Sequence, residues 1–259
     1  MRLLSPPRRE IVRALPFFGA GFLLVLALKY HYRHATVDDL DWILRPTAGV
    51  AELLSGIRFE REAHAGWINH PHRIILAAGC AGVNFLIVAY STLFFSFLHR
   101  LGSAAGRGVW LAASLGIALL LTIGTNALRI LGAIHLYESD LHGGLLTPER
   151  IHRAAGTVVY CLSLLLAYLT VERLFRRWGA GESGGKAASP LVPLGWYLTF
   201  TLGVPLLDRA FLADPGRFLE HATQVVSTCA FLFFGVLLWR AGRRGWPRRV
   251  DGDRADAKC

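Results

Sequence analysis

The chain has 259 residues, of which 53% are hydrophobic and 18% charged, a composition too apolar for an ordinary soluble domain. Its net charge of +10 does not indicate nucleic-acid binding, because the Lys and Arg residues lie mainly beside the ends of apolar runs. The four cysteines occur singly and no CxxC or HExxH motif is present. The sequence therefore predicts no disulfide framework, no simple zinc site and no cofactor.

Six segments are apolar and long enough to cross a hydrocarbon core, which takes roughly 17 to 25 helical residues. They lie near 15–31, 72–98, 109–135, 151–172, 191–207 and 222–239. The first segment has a basic start and no small-residue cleavage site, so we predict an uncleaved anchor. The predicted fold class is all-α, a polytopic integral membrane protein with about six transmembrane helices.

Between the first two spans, residues 40–56 (LDWILRPTAGVAELLSG) have the spacing of an amphipathic helix, with a break expected near Pro46. The apolar stripe consists of Leu40, Ile43, Leu44, Val50, Ala51 and Leu54. The charged residues Asp41, Arg45 and Glu52 argue against a membrane crossing. We expect an interfacial helix on the outer face of the membrane.

The charges of the loops predict the orientation. The N-terminal arm, residues 99–108, residues 172–190 and the tail from Arg240 hold 17 Lys and Arg against 6 acidic residues. The alternate loops hold 9 against 12. Because basic loops stay on the cytoplasmic side, both termini are predicted to be cytoplasmic.

Polar residues inside apolar spans are costly, which makes them candidates for function. In the second span, LAAGCAGVNFLIVAY (76–90), Cys80 and Asn84 are four residues apart and are expected on one helix face. Gly79 and Gly82 beside them would leave room for a neighbouring helix or a substrate backbone. Tight packing of small residues is the alternative interpretation, and for this motif alone it is the favoured one.

The third span contains TNALRIL (125–131), in which Asn126 and Arg129 share a helix face. Arg129 is the only Lys or Arg well inside an apolar run, although it could also extend toward the outer headgroups. In the fourth, TPERIHRAAGTVVY (147–160) has a helix-start signature at Thr147 and Pro148. His152, Gly156 and Tyr160 then recur every four residues on one face.

In the six-span topology these helices bring a thiol, a guanidinium and an imidazole to the outer half of the membrane. Counted along the helices, Cys80 lies about 13 Å deep, Arg129 about 12 Å and His152 about 6 Å. A fixed cation and a histidine would favour the thiolate of the cysteine. His152 could then move the proton while Arg129 stabilises an oxyanion, which is acyl transfer through a thioester.

The motifs GCAGVNF, NALRI and HRAAG, in this order on successive spans, resemble those of the exosortase and archaeosortase family. With the early LKYHYRHA, the sequence is most similar to the branch called exosortase K. The resemblance covers roughly residues 20–172 and implies a membrane-embedded cysteine peptidase and transpeptidase of the bacterial inner membrane. Such an enzyme cleaves the C-terminal sorting signal of exported proteins at the outer face and transfers the new C-terminus to an acceptor. Its substrates end in a transmembrane helix followed by an Arg-rich cluster.

The resemblance implies that Cys80 is the nucleophile, Arg129 the transition-state stabiliser and His152 the general acid and base. Supporting roles fall to Asn84, Asn126 and Gly156. Many relatives have Ser or Thr directly after the cysteine, where this chain has Ala81. His135 and His142 compete for the role of the base, and the family pattern of His followed four residues later by Gly favours His152.

The implied organisation has five parts. A cytoplasmic arm (1–14) precedes the catalytic membrane domain (15–176). A flexible linker rich in Gly, Ser and Ala follows (177–190). The chain then forms a pair of transmembrane helices (191–240) and a basic cytoplasmic tail (241–259).

Two other interpretations remain. In a transport or anionic-lipid-binding protein, Arg129 would pair with the anionic group, while Cys80 and His152 would be incidental. A metal site could also use His64, His70 and His72, although their spacing fits no helix-borne zinc pattern. Cys161 and Cys229 are expected to be small packing residues.

Overall fold

The structure, a computed structural model, describes residues 8–138, 148–177, 189, 191–206 and 215–245. The helices are α1 (Arg8–His34), α2 (Asp41–Ser55), α3 (Val83–Phe97), α4 (Ala104–Glu138), α5 (Pro148–Arg177), α6 (Leu191–Leu206) and α7 (Pro215–Gly245). The strands are β1 (Glu60–Glu62), β2 (Gly66–Asn69) and β3 (Ile74–Leu76). Two short 3₁₀ turns, Ala78–Cys80 and Leu98–Arg100, flank α3.

Four segments are long and apolar enough to cross a membrane among the described residues. They are Val12–His34, Ala78–Arg100, Ala104–His135 and Ala154–Arg177. These segments overlap the first four predicted spans, so the prediction of a mainly helical chain with membrane-length helices is confirmed. The fifth predicted span is a shorter apolar helix, Leu191–Gly203, and no further segment of this kind is found in the described part of α7. The count of six spans stays a prediction.

Helix α3 lies at the centre and packs against α1, α4, α5 and α6. Because neighbours surround it, 78% of its most apolar window is buried, against 17% to 28% for the other three segments. The surrounding helices instead turn large apolar side chains outward, among them Phe22, Leu23, Leu120 and Leu166. An apolar outer surface over buried polar contacts is the pattern of helices placed in lipid.

The segment between α1 and α3, residues 35–77, is called the cap here. It contains α2 and an antiparallel sheet with the strand order β1-β2-β3, in which Arg61 faces Trp67 and Trp67 faces Leu76. The sequence pattern did not predict these short strands. Asp41 of α2 joins the two parts of the cap, since it accepts a hydrogen bond from Trp67 Nε1 at 3.0 Å and lies 3.5 Å from Arg61 Nε.

The predicted amphipathic helix is confirmed as α2, but the break near Pro46 is wrong, because the helix is continuous through this proline. Its buried side consists of Ile43, Leu44, Thr47, Ala48 and Ala51. Ala48 and Ala51 pack in one apolar cluster with Ala127, Ile130 and Ile134 of α4. This burial holds the helix together although Pro46 cannot donate a main-chain hydrogen bond. The cap is thereby fixed against the end of α4.

The opposite end of the helices is held by a buried ion pair. Glu172 of α5 has a side chain that is 6% exposed, and its oxygens lie 2.7 Å from Arg100 Nη1 and 2.9 Å from Arg176 Nε. The Arg100 guanidinium also lies over the ring of Phe97, 5.0 Å from its centroid. These contacts link the end of α3 to the end of α5.

Candidate functional site

Cys80 lies in a 3₁₀ turn that precedes α3, and not within an α-helix. The main chain forms β3 over residues 74–76, is extended at Ala77, and makes the 3₁₀ turn that ends at Cys80. Helix α3 begins only at Val83. The prediction that Cys80 and Asn84 share one helix face is therefore wrong. The predicted depth of about 13 Å is counted along a helix, and this count does not apply to residues 74–80. Cys80 is the third residue of the apolar segment Ala78–Arg100.

The reason is Gly82, which precedes α3 with φ +71°. This left-handed conformation suits glycine and separates the cysteine turn from the helix. A Cβ at Gly82 would lie 3.2 Å from both Asn126 Nδ2 and Thr122 Cγ2 on α4. Gly82 thus lets the turn pack directly on α4. At Gly79 a Cβ would meet no atom within 4 Å, so of the two predicted openings for a substrate only Gly79 remains.

Asn126 connects the cysteine turn to the rest of the site. Its Nδ2 donates a hydrogen bond to the main-chain carbonyl of Cys80. Its Oδ1 accepts two hydrogen bonds, from Arg129 Nε at 3.1 Å and from Tyr160 Oη at 3.2 Å. The Asn126 side chain is fully buried. One amide therefore holds together groups from the cysteine turn, α4 and α5.

Arg129 is held on two sides. Its guanidinium lies over the ring of Tyr160, 5.7 Å from the centroid, and its Nε is bonded to Asn126. Within the described part of the chain, its side chain forms no ion pair with Asp or Glu. A guanidinium in a membrane-length helix without a carboxylate partner is costly. No carboxylate of the described residues therefore offsets the charge of Arg129.

Gly156 and Tyr160 show which face of α5 meets the site. A Cβ at Gly156 would lie 3.3 Å from Arg129 Cδ, so the arginine stem packs on this glycine. Tyr160, one turn later, bonds to Asn126 and stacks on Phe85 of α3 with ring centroids 4.4 Å apart. The predicted common face of Gly156 and Tyr160 is confirmed by these contacts.

His152 lies in α5 one turn before Gly156, at the register of the same face. Its side chain is outside the described residues, so its role stays a prediction. His142 is also outside them. His135 is described and exposed, but it follows Arg129 by six residues and lies about 120° away around α4.

Helix α1 contributes two residues that the sequence analysis did not select. Lys29 Nζ donates a hydrogen bond to Asn84 Oδ1 at 3.1 Å and lies 5.8 Å from the centroid of the Tyr32 ring. Asn84 is exposed and thus joins α1 to the first turn of α3. Lys29 and Tyr32 both lie in the motif LKYHYRHA, which the sequence analysis used only for the family resemblance.

The histidines of the cap have separate partners. His64 Nδ1 lies 2.8 Å from Asp38, His70 Nε2 lies 2.8 Å from Glu62, and His72 contacts Asn69. Among the residues that the structure describes, no group of three possible metal ligands occurs. The alternative of a histidine metal site gains no support from this arrangement.

Comparisons with protein-family models, curated proteins and solved structures gave no match.

Proposed function

We propose that the chain is a membrane-embedded cysteine peptidase and transpeptidase, similar to exosortases. The observation that supports it most is the side chain of Asn126, which bonds both the Cys80 carbonyl and Arg129 Nε. A nucleophile and a cation from distant parts of the chain are thereby held on one buried amide. Two of the three motifs of the family resemblance contain these residues: GCAGVNF contains Cys80, and NALRI contains Asn126 and Arg129.

The proposed reaction begins with the Cys80 thiol, which passes its proton to His152 as the thiolate attacks a peptide carbonyl of the substrate. Arg129 stabilises the resulting oxyanion, because its charge has no carboxylate partner among the described residues. The peptide C–N bond then breaks and His152 returns the proton to the leaving amine. An acceptor nucleophile finally attacks the thioester, loses its proton to His152 and releases the thiol.

The location of Cys80 suits this chemistry. The cysteine lies at the start of an apolar segment, directly after the strand β3, and its side chain is half-buried. A substrate that ends in a transmembrane helix would present the peptide just outside its own apolar segment at this level.

The proposal includes the topology predicted by the charges, with six spans, both termini in the cytoplasm and the cap on the outer face of a bacterial inner membrane. The partners would be exported proteins with a C-terminal transmembrane helix and an Arg-rich cluster, together with membrane lipid.

The test co-expresses the chain with an exported protein of the same genome that ends in such a helix and cluster. With the wild type, the substrate should lose the mass of its C-terminal segment and gain the mass of the acceptor, which is water if the thioester is hydrolysed. Neither Cys80→Ala nor Cys80→Ser should cleave it, although both should accumulate in the membrane fraction. Cys259→Ser, in the charged tail, is the matched cysteine control and should cleave normally. Processing by Cys80→Ala would disprove the peptidase.

The same observation on Arg129 favours a second candidate, a transport or anionic-lipid-binding protein. The Arg129 guanidinium, which has no carboxylate partner among the described residues, would then bind a phosphate or carboxylate. In this case Cys80→Ala keeps the co-purified anionic phospholipid measured by mass spectrometry, whereas Arg129→Ala loses it. A peptidase instead requires both residues for cleavage, with a loss of roughly 10²- to 10³-fold for Arg129→Ala.

A further inference from the structure

Two thiols that the proposed reaction does not use lie in contact. Cys161 of α5 and Cys229 of α7 are 68 residues apart in the chain, and their Sγ atoms are separated by 3.5 Å. Both are free cysteines, Cys229 buried and Cys161 partly buried. The prediction that they are only small packing residues leaves this close pairing unexplained. No other described residue pair brings two sulfur atoms together.

The two sulfur atoms would need only a small movement to form a disulfide bond. A disulfide has an S–S length of about 2.0 Å, so the sulfur atoms must approach each other by about 1.5 Å. The two helices that carry them already pack against each other. Helix α6 also packs against both of them, so three helices meet in this region.

We propose that Cys161 and Cys229 form a reversible dithiol and disulfide site inside the membrane domain, oxidised by a lipid-soluble quinone. The Cys161 thiol loses its proton and adds to the quinone ring. Cys229 then attacks the Cys161 sulfur, the S–S bond forms, and the ring leaves as the quinol. Two thiols are oxidised by two electrons, and the quinone takes up both electrons and both protons. A quinone is the suitable class of oxidant because this pair is packed between apolar helices.

The bond joins α7 to the helix of the candidate functional site. Cys161 directly follows Tyr160, whose hydroxyl bonds to Asn126. Oxidation would therefore restrain α5 at this turn and fix the last described helix to it. The closed loop also restricts the unfolded chain, which stabilises the oxidised protein relative to the reduced one.

The experiment uses the full chain in detergent micelles and decylubiquinone as the probe. After incubation, free thiols are blocked with N-ethylmaleimide, the protein is denatured and reduced, and newly released thiols are counted with a polyethylene glycol maleimide. We expect two additions of the maleimide reagent to protein treated with quinone. Protein that is reduced with dithiothreitol and receives no quinone should show none. Cys161→Ser and Cys229→Ser should each show none, while Cys80→Ser and Cys259→Ser should still show two.

Peptide mapping without reduction should find the peptide of Cys161 linked to that of Cys229. The melting temperature of the wild type should rise on oxidation, and that of Cys229→Ser should not. No additions after quinone treatment of the wild type, or a bond that involves Cys80 or Cys259, overturns the proposal. Because this experiment counts thiols, its result does not depend on whether the chain cleaves a peptide. The disulfide proposal can therefore fail while the proposed peptidase function holds, and the reverse is also possible.

Discussion

The side-chain amide of Asn126 donates a hydrogen bond to the main-chain carbonyl of Cys80, across 46 residues of sequence. The carbonyl belongs to the 3₁₀ turn that carries the thiol, and the oxygen of the same amide accepts from Arg129. Asn126 therefore sets the position of both groups relative to each other without itself meeting the reacting atoms. In the proposed enzyme it is a positioning residue.

Replacing Asn126 with Ala should lower the rate of substrate cleavage by roughly 100-fold, because a shift of the thiol by about 1 Å is enough for such a loss. Asn126→Asp tests the charge separately: it keeps the shape of the side chain, removes the Nδ2 donor and places a carboxylate beside Arg129. At fixed pH, iodoacetamide should alkylate Cys80 more slowly in Asn126→Asp than in the wild type, because the guanidinium no longer favours the thiolate. Equal alkylation rates would contradict the proposed coupling.

Gly82 and Gly79 form a matched pair for testing the cysteine turn. Gly82 has φ +71° and packs on Asn126 and Thr122, whereas a Cβ at Gly79 meets nothing within 4 Å. Gly82→Ala should therefore destabilise the protein by about 1 to 2 kcal/mol through the strained backbone. It should also abolish cleavage by moving the turn away from α4.

Gly79→Ala should leave the melting temperature of the purified protein unchanged within error. A decrease as large as that of Gly82→Ala would show that the two glycines are packed alike, contrary to the structure. Both variants are compared in the same detergent, with insertion checked by the yield in the membrane fraction.

The helical part of the fold could be predicted from the sequence because it depends on local patterns. Helix α5 begins at Pro148, the position indicated by the signature at Thr147 and Pro148, and α4 contains the whole apolar run 109–135. Helix α2 follows the apolar stripe that begins at Leu40. In each case, the periodicity of the burial is present in consecutive residues.

The cysteine turn could not be predicted in this way. The run IILAAGC is as apolar as a transmembrane helix, and only pairing with Gly66–Asn69 makes residues 74–76 a strand. Such pairing depends on residues outside any local window. Gly82 could serve equally as a packing residue in a helix or as a left-handed turn, and the approach of Asn126 from α4 decides between them.

Gly156 should be sensitive to size because the stem of Arg129 lies against it. A Cβ at Gly156 would lie 3.3 Å from Arg129 Cδ, so the arginine has to move by a few tenths of an ångström. We expect Gly156→Ala to lower cleavage several-fold while the helix itself gains up to about 1 kcal/mol from the better helix former. Gly132→Ala on α4 is the control, since a Cβ there meets no atom within 4 Å. It should keep full activity, and loss of activity in both variants would point to a general effect of alanine.

The buried Glu172 predicts a difference between two arginines near the opposite end of the helices. Arg100 lies 2.7 Å from Glu172, whereas Arg177 at the end of α5 is exposed. Among the described residues, Arg100→Ala leaves the carboxylate with Arg176 as its remaining ion-pair partner. It should lower the free energy of unfolding by up to about 3 kcal/mol. Arg177→Ala removes one positive charge from the same end of the chain and should change it by less than about 0.5 kcal/mol. Thermal unfolding in detergent, followed by circular dichroism, separates the two variants.

The Arg100 variant should keep its activity when it is folded, because Arg100 is remote from Cys80 in the fold. The rate of substrate cleavage per folded molecule should therefore equal that of the wild type. Equal stability of the two variants would mean that the ion pair does not hold α3 to α5.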